Sequence, residues 1–334
     1  MARSSLLRKL VGLLPAVVGV AVLVAVASFV GVAKVGQRLE GALVWLPLLF
    51  LLEGVRIPLE GVATRRLLGA RAARVPLALL ARVQLVFYAI SACTPGGRVL
   101  GEASKVALLG GRVGVPAASA AATASQATSL VADALVVLVG AGAVYELSGF
   151  TKLTALTLVF VAGCILLAAV VVAATRTSFT PAWLERFPRL AQFLDTWRRA
   201  ARAQRLFAGD VIAILVVARV AQVLLLGASL AAVGGGFSLL RAWSLLALVM
   251  GGSVVGEAIP AQLGATDAVL VAAAPTLGID QAQAATVGVL YHVVQLGWAV
   301  IGAIAGAAVR DRGSSDGGRP GARRSDLQAP PASG

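Results

Sequence analysis

The fold is decided by the stretch Thr-Pro-Gly-Gly-Arg-Val-Leu-Gly-Glu at residues 94–102, here called the first break. The second break, Pro-Ala-Gln-Leu-Gly-Ala-Thr-Asp, occupies residues 260–267. In each break a proline is followed seven residues later by a carboxylate, Glu102 or Asp267, with glycine between them. An apolar run then leads to a Gly-Val or Gly-Ile pair. The recurrence indicates two related halves.

Both breaks interrupt sequence that is otherwise apolar enough for a membrane interior. Backbone exposed to lipid cannot lose its helical hydrogen bonds, so such breaks occur only where they line a cavity or are buried in protein. Duplicated breaks in corresponding positions of two halves are typical of a transport site between repeats. The pattern therefore predicts a polar site between the two halves.

The composition is that of a polytopic membrane protein. Hydrophobic residues make up 59% of the sequence and charged residues 13%, and the mean hydropathy is +0.90. A soluble domain carries about a quarter charged residues. The sequence predicts an all-α membrane helix bundle of about eight spans, with two short broken or re-entrant helices and an internal pseudo-repeat. Apolar runs of the roughly 20 residues that a span needs cover 10–33, 42–62, 76–93, 116–145, 153–175, 211–234, 242–259 and 283–309.

The ends of the chain and its charge predict where it lies. Residues 1–310 are expected to form the membrane domain, and 311–334, rich in glycine, proline, serine and arginine, a disordered cytoplasmic tail. The first apolar run exceeds the roughly 7–15 residues of a signal peptide. It is expected to anchor a multi-pass protein of the cell inner (plasma) membrane with a cytoplasmic N-terminus. The net charge of +14 favours contact with anionic lipid and loop orientation over nucleic-acid binding.

The basic loops conflict with a count of eight full spans. That count places residues 65–74 and the tail inside but leaves 176–210, with its seven arginines, outside. If each short run after a break crosses with its neighbour as a broken helix, every basic loop is cytoplasmic. The first break then lies near the outer face and the second near the inner face, and the halves are inverted repeats.

Segment 176–210 also carries an apolar stripe at helical spacing. An amphipathic helix in the membrane interface is one interpretation, and a helix packed on neighbouring loops is the alternative. The stripe consists of Trp183, Phe187, Leu190, Leu194 and Trp197.

The first break has the residue types of an anion site. Freed glycine amides, Arg98 and Lys105 favour a phosphate-like group, and Glu102 shares the helical face of Lys105. The alternative is a loop at head-group level that its basic residues merely anchor. The predicted lipid head-group residues are Thr94, Pro95, Gly96, Gly97, Arg98, Gly101, Glu102, Lys105 and Asp267.

Charges inside the spans need partners, since each costs about 2.5–3.5 kcal/mol at membrane depth. Asp133 and Arg219 are each isolated in a span and are expected to pair. His292 is either a packing residue or a proton relay. A second set, Glu53, Arg56 and Glu60, is expected to form an internal ion-pair strip. The predicted buried polar support is Asp133, Arg219, Tyr291 and His292.

Catalytic and metal chemistry find little support in the sequence. One histidine excludes His-based zinc clusters, and the two cysteines, Cys93 and Cys164, lie in separate apolar segments. No nucleophile–base pair, HExxH, Walker loop or nucleotide fingerprint occurs. We therefore expect no enzyme activity, no metal and no cofactor.

At these residues the chain resembles the flippase-like transmembrane domain of lysylphosphatidylglycerol synthases. The resemblance rests on the first break with the basic residue and Leu-Leu pair after it, on Asp133, and on Ile-Pro-Ala-Gln-Leu-Gly-Ala-Thr-Asp-Ala-Val-Leu at 259–270. It covers roughly residues 10–309. The chain departs from the family's pattern in the second break, where Gln262-Leu263-Gly264 stands in place of a Gly-Gly-rich loop and Asp267 in place of a glutamate. It also departs in the last span, where His292 replaces the arginine that commonly follows the tyrosine.

The resemblance implies that the chain moves amino-acylated phospholipids between leaflets or handles glycolipid or hopanoid precursors. The sequence holds no aminoacyl-transferase domain, so synthesis is not expected of it. We expect it to bind an amphipathic (phospho)lipid or envelope-lipid precursor with an anionic head group and to move it between leaflets. Glu102 and Asp267 would gate the site or pair with cations, and an envelope-lipid biosynthetic enzyme is the expected partner. The alternatives are a lipid-modifying enzyme, with Glu102 or Asp133 as general base, and a non-transporting scaffold for such an enzyme.

Overall fold

The computed structural model describes residues 24–25, 28–177, 187–204, 207–256 and 259–316. Within these ranges the chain is all-helical and contains no strand, so the all-α prediction is confirmed. The helices of the described part are α1 Val32–Ala42, α2 Leu46–Leu68, α3 Leu77–Cys93, α4 Gly97–Val113, α5 Val115–Ser148, α6 Lys152–Arg176, α7 Pro188–Arg202, α8 Gly209–Ala232, α9 Leu239–Gly256, α10 Ala265–Leu277 and α11 Gln281–Asp316.

Helix length separates the spans into two classes. The helices α3 and α9, which precede the breaks, are shorter apolar helices. The 17 residues of α3 extend only about 26 Å at 1.5 Å per residue, less than the roughly 30 Å of a bilayer's hydrocarbon core. Among the described residues, the segments long and apolar enough to cross a membrane are Val32–Arg74, Val115–Ser148, Lys152–Arg176, Gly209–Ala232 and Gln281–Ala307.

Two expectations from the sequence fall at the edges of the described residues. Most of the expected first span, 10–33, lies outside them. The predicted tail lies outside them from residue 317 onward, and α11 continues as far as Asp316.

The first break ends α3 and turns the chain directly into α4. Thr94 is extended, with φ −121° and ψ 145°, because the residue before a proline is excluded from the helical region. Gly96 follows in the left-handed region at φ 62°, where glycine carries no steric penalty. A Cβ at Gly97 would collide with the Ser91 carbonyl. The glycines therefore allow α4 to fold back tightly against α3.

The second break is built differently, because its left-handed residues are not glycines. Ala261 has φ 53° and Gln262 has φ 57°, a conformation that costs side-chain-bearing residues about 1–3 kcal/mol each. The Asp267 carboxylate accepts the backbone N–H of Gly264 at 2.8 Å, which ties the break to the first turn of α10. The second break is thus a strained loop held by its own carboxylate.

The two hairpins, α3–α4 and α9–α10, pack in corresponding ways. Helix α3 packs on α11 and α9 packs on α5, so each hairpin lies against the long helix that follows the other hairpin. Helices α2 and α8 pack on each other between them. Small residues allow both crossings: a Cβ at Gly302 would collide with the Leu85 carbonyl, and one at Gly140 would lie 2.7 Å from the Trp243 carbonyl oxygen. The halves are therefore interlocked.

Helix α7 packs on α5 and α6. The Arg202 guanidinium donates to the carbonyls of Thr175 and Arg176 at 3.3 and 3.2 Å, where α6 ends, and Ala201 is buried. Of the predicted apolar stripe, Phe187 is exposed, Leu194 and Trp197 are half-buried, and Trp183 lies outside the described residues. Contact with neighbouring helices therefore fixes the position of α7.

Candidate functional site

One cavity of about 180 Å³ lies between the two halves. Thr94 and Gly97 of the first break line it, together with Ile259, Ala261 and Gln262 of the second. The sequence placed the two breaks near opposite faces, and in the fold their residues meet at this one cavity.

Five of the predicted head-group residues line the cavity: Thr94, Gly97, Arg98, Glu102 and Lys105. The other four do not. Pro95, Gly96 and Gly101 shape the turn and the approach of α4 to α3, where a Cβ at Gly101 would lie 2.8 Å from the Phe87 ring. The fourth, Asp267, is fully buried behind the second break.

Glu102 and Lys105 form a buried pair on α4. The Lys105 ammonium donates to Glu102 Oε1 at 3.0 Å and lies 3.7 Å from the centre of the Phe87 ring. The other carboxylate oxygen, Glu102 Oε2, is buried, and no described residue bonds it. Because leaving a buried polar group unsatisfied costs about 1–3 kcal/mol, this oxygen is available for a donor on a ligand.

Arg98 reaches from the first break across the cavity to α5. Its Nε donates to the Gln126 side chain at 2.9 Å, and its Nη1 lies 3.4 Å from Asp133 Oδ2. The Arg98 side chain remains 37% exposed. A guanidinium has five N–H donors, so Arg98 keeps donors for an anion while staying anchored.

The expected pair between Asp133 and Arg219 is formed. Arg219 Nε donates to Asp133 Oδ1 at 2.7 Å, and the Asp133 side chain is only 1% exposed. Arg219 also lies 3.7 Å from Glu60. Gln222, which accepts from Arg219 at 3.3 Å, donates to the Tyr291 hydroxyl at 2.9 Å. Asp133 therefore joins α5 to α8, and Tyr291 supports that junction from α11.

The ion-pair strip on α2 is also formed and extends into α3. Arg56 donates to Glu53 at 2.6 Å and also contacts Glu60. From α3, the Tyr88 hydroxyl donates to Glu53 at 2.6 Å and Gln84 donates to Glu60 at 2.9 Å. Arg56 and Glu60 line the cavity, so the strip forms part of its wall.

The charges around the cavity balance. Four cations line it: Arg56, Arg98, Lys105 and Arg219. Of the four carboxylates in this network, Glu60 and Glu102 line the cavity, and Glu53 and Asp133 lie behind its wall.

Sequence reasoning missed Tyr88 and Gln84 as partners, and it missed Ser91 and Gln295 as lining residues. The oxygens Ser91 Oγ and Gln295 Oε1 are buried, and no partner is found for them in the described part of the chain.

The cavity can therefore bind a small polar group from several directions. Arginine and lysine N–H groups favour phosphate or carboxylate oxygens. Three unpartnered oxygens, Ser91 Oγ, Glu102 Oε2 and Gln295 Oε1, favour hydroxyl or ammonium donors. Within the described residues, no group of three or more His, Cys, Asp or Glu side chains is placed to hold a metal ion.

Asp267 and His292 form a separate polar site behind the second break. His292 Nε2 lies 2.9 Å from Asp267 Oδ2 and 3.4 Å from the Thr266 hydroxyl. The Tyr291 ring lies beside His292, with 5.8 Å between ring centres. Neither Asp267 nor His292 lines the cavity.

Comparison with known proteins identifies a family. The family model described as the lysylphosphatidylglycerol synthase TM region matches residues 12–303. No curated protein and no solved structure gives a match to the chain.

Proposed function

The chain belongs to the lysylphosphatidylglycerol synthase transmembrane family, and from this premise we propose that it binds a lipid head group in the cavity and moves that lipid between leaflets. The observation that carries the proposal is the cavity itself, in which two helix breaks, four cations and three unpartnered buried oxygens converge. Charged groups at membrane depth are expensive and mark substrate pathways. The protein is an integral membrane protein, and the lipid is its proposed substrate.

The cavity volume limits what part of a lipid it holds. The cavity has a volume of about 180 Å³. It is smaller than the roughly 300–1,000 Å³ of a pocket that encloses a drug-sized ligand. A compact head group fits, whereas acyl chains would stay outside among apolar helix faces.

The two hairpins, α3–α4 and α9–α10, are proposed to enter the membrane from opposite faces as an inverted repeat. Their packing supports this, because each hairpin lies against the long helix that follows the other. A re-entrant hairpin returns the chain to its starting side, so residues 65–74, α7 and the C-terminus share one side. Their arginines make that side cytoplasmic by the positive-inside bias, and the membrane is then the cell inner (plasma) membrane.

A head group held at the junction of two inverted hairpins can exchange access between faces when one hairpin moves against the other. The sequence contains no nucleotide-binding motif. The movement is therefore passive, driven by a gradient, or coupled to an enzyme of envelope-lipid biosynthesis. An anionic head group is favoured because Arg98 and Lys105 carry the donors at the first break.

Leaflet-resolved lipid labelling in proteoliposomes tests the proposal. We expect Arg98→Ala and Glu102→Gln to lower translocation at least about tenfold, because each removes a group that contacts the head group. Arg112→Ala is the matched control, since Arg112 is an exposed cation on the same helix. Yield and melting in detergent report folding. Wild-type translocation by both cavity variants would refute the assignment.

A lipid-modifying enzyme is the second candidate, and Glu102 is the observation that favours it. Glu102 lines the cavity, and its Oε2 is buried and unpartnered, as a general base would be before it accepts a proton. Asp133 is less suited to that role, because Arg219 and Arg98 occupy its two oxygens. Mass spectrometry of lipids incubated with the protein distinguishes the two candidates: a new lipid species that Glu102→Gln abolishes would favour the enzyme.

A further inference from the structure

The buried pair of Asp267 and His292 has unused capacity on both side chains. The Asp267 and His292 side chains are 0% and 4% exposed. Asp267 Oδ2 accepts from Gly264 and contacts His292 Nε2, but Asp267 Oδ1 and His292 Nδ1 are buried without a partner in the ranges that the structure describes. The pair therefore holds one open carboxylate oxygen and one open ring nitrogen, and either atom can bind a proton.

The net charge of the pair depends on one proton. With a neutral imidazole the site carries −1, and with one proton added at a ring nitrogen it carries 0. An uncompensated charge inside a membrane protein is costly, and histidine is the side chain whose ordinary charge change falls between about pH 5 and 8. Taking up one proton therefore removes the net charge of the occluded pair.

The other charged groups near the pair, among the residues that the structure describes, have partners of their own. No other described carboxylate lies within 4 Å of His292, and no described arginine or lysine lies within 4 Å of Asp267. Asp267 is the only titratable residue of α10. On the helices that pack against α10, Asp133 of α5 pairs with Arg219, and Tyr291 of α11 accepts from Gln222. Arg241 of α9 donates to the Gly235 carbonyl at 3.2 Å. Glu257, before the second break, lies outside the described residues.

The pair is connected to the cavity through the second break. Asp267 accepts the Gly264 N–H, and the Thr266 hydroxyl donates to the Gln262 carbonyl at 3.2 Å. Gln262 and Ala261 line the cavity in the left-handed conformation. A strained loop that such contacts help to hold is a natural two-state element.

We propose that Asp267 and His292 form an occluded binding site for one proton, and that its occupancy sets whether the second break closes the cavity. The proton comes from water, binds at His292 Nδ1 and returns to water, so that no other reactant is needed. With the proton bound, the neutral pair stays buried and the break stays closed. With the proton lost, the remaining negative charge favours hydration and the break opens. The further step, in which a proton gradient drives lipid movement, rests on the proposed function.

Thiol labelling at the break tests the proton site without any lipid measurement. In a background with Cys93→Ser and Cys164→Ser, Gln262→Cys reports the second break. Ser129→Cys, on the α5 wall of the same cavity, is the matched control and cancels the effect of pH on thiol reactivity. The labelling rate at Gln262→Cys divided by that at Ser129→Cys is expected to rise about tenfold from about pH 5 to 8. A rise of that size means that the open state of the second break changes from a minor state to a populated one.

The Asp267→Asn variant keeps an acceptor for Gly264 but leaves the unprotonated pair neutral, so the rise of the ratio with pH is expected to disappear. His292→Gln should also abolish it. A ratio independent of pH in the otherwise wild-type protein overturns the proton site, and so does a ratio that follows sodium concentration at fixed pH.

Proteoliposomes with an imposed pH gradient then test the coupling. The coupling is supported if the gradient speeds lipid movement in the wild-type protein but not in Asp267→Asn. Lipid movement that ignores the gradient overturns the coupling. Absence of lipid movement under every condition overturns the proposed function instead, and the labelling ratio still decides the proton site.

Discussion

Neutralising Asp133 is expected to destabilise the protein by about 3 kcal/mol, near the lower end of the roughly 3–5 kcal/mol for breaking one side of a buried pair. The side chain is 1% exposed, and its partner Arg219 is 15% exposed. In Asp133→Asn, Arg219 keeps Glu60 at 3.7 Å as its remaining described carboxylate partner, but Arg56 already occupies Glu60. A loss of 3 kcal/mol lowers the folding equilibrium constant by about two powers of ten.

A double-mutant cycle, measured by reversible denaturation in detergent micelles, is the assay. Asp133→Asn, Arg219→Gln and the double variant give an expected coupling of about 2 kcal/mol, because the double variant leaves neither charge unpaired. Arg66→Gln is the control: the Arg66 side chain is 65% exposed and 4.0 Å from Asp210, a surface pair worth about 0–1 kcal/mol. Additive losses in the cycle would refute the reasoning, since they would mean that Asp133 and Arg219 act independently.

Three further predictions concern packing, the polar wall and topology. Gly140→Ala should lower stability by about 1–3 kcal/mol through overpacking, because the added Cβ would lie 2.6 Å from Ala247 Cβ. Gly142→Ala on the same helix has open space around it and should leave stability unchanged. Equal melting temperatures of the two variants would contradict this prediction. Tyr88→Phe should cost about 1–3 kcal/mol by removing the buried donor to a carboxylate, and an unchanged unfolding free energy would count against the contact. Gln192→Cys, exposed on α7, should react with an impermeant thiol reagent only after cells are opened, and labelling of intact cells would reverse the proposed orientation.

The breaks and the Asp133–Arg219 pair could be predicted from the sequence because each is unfavourable in an apolar helix. A glycine–proline break in an apolar run and a lone charge in a span each require a compensating partner. Tyr88, Ser91 and Gln295 gave no such signal, because a single polar residue in an apolar helix is compatible with many positions. Their roles depend on contacts between segments far apart in the chain.

The depth of the breaks could not be fixed from the sequence for a different reason. A helix that crosses and returns, and a hairpin that enters halfway and returns, both leave the chain on its starting side. Loop charges report only the side, so they cannot distinguish the two. The meeting of both breaks at one cavity is visible only in the fold.

The interlocking of the halves has a consequence for how the protein is made. Leu85 on α3 packs against Gly302 on α11, so the first hairpin lacks its partner until nearly the whole chain has been synthesised. At about 5–20 residues per second, that interval is roughly ten to forty seconds. During it, the polar face of α4, with Glu102 and Lys105, must be sheltered by the insertion machinery or by helices already released. The order of synthesis, as much as the finished packing, is then a constraint on which residues α4 can carry.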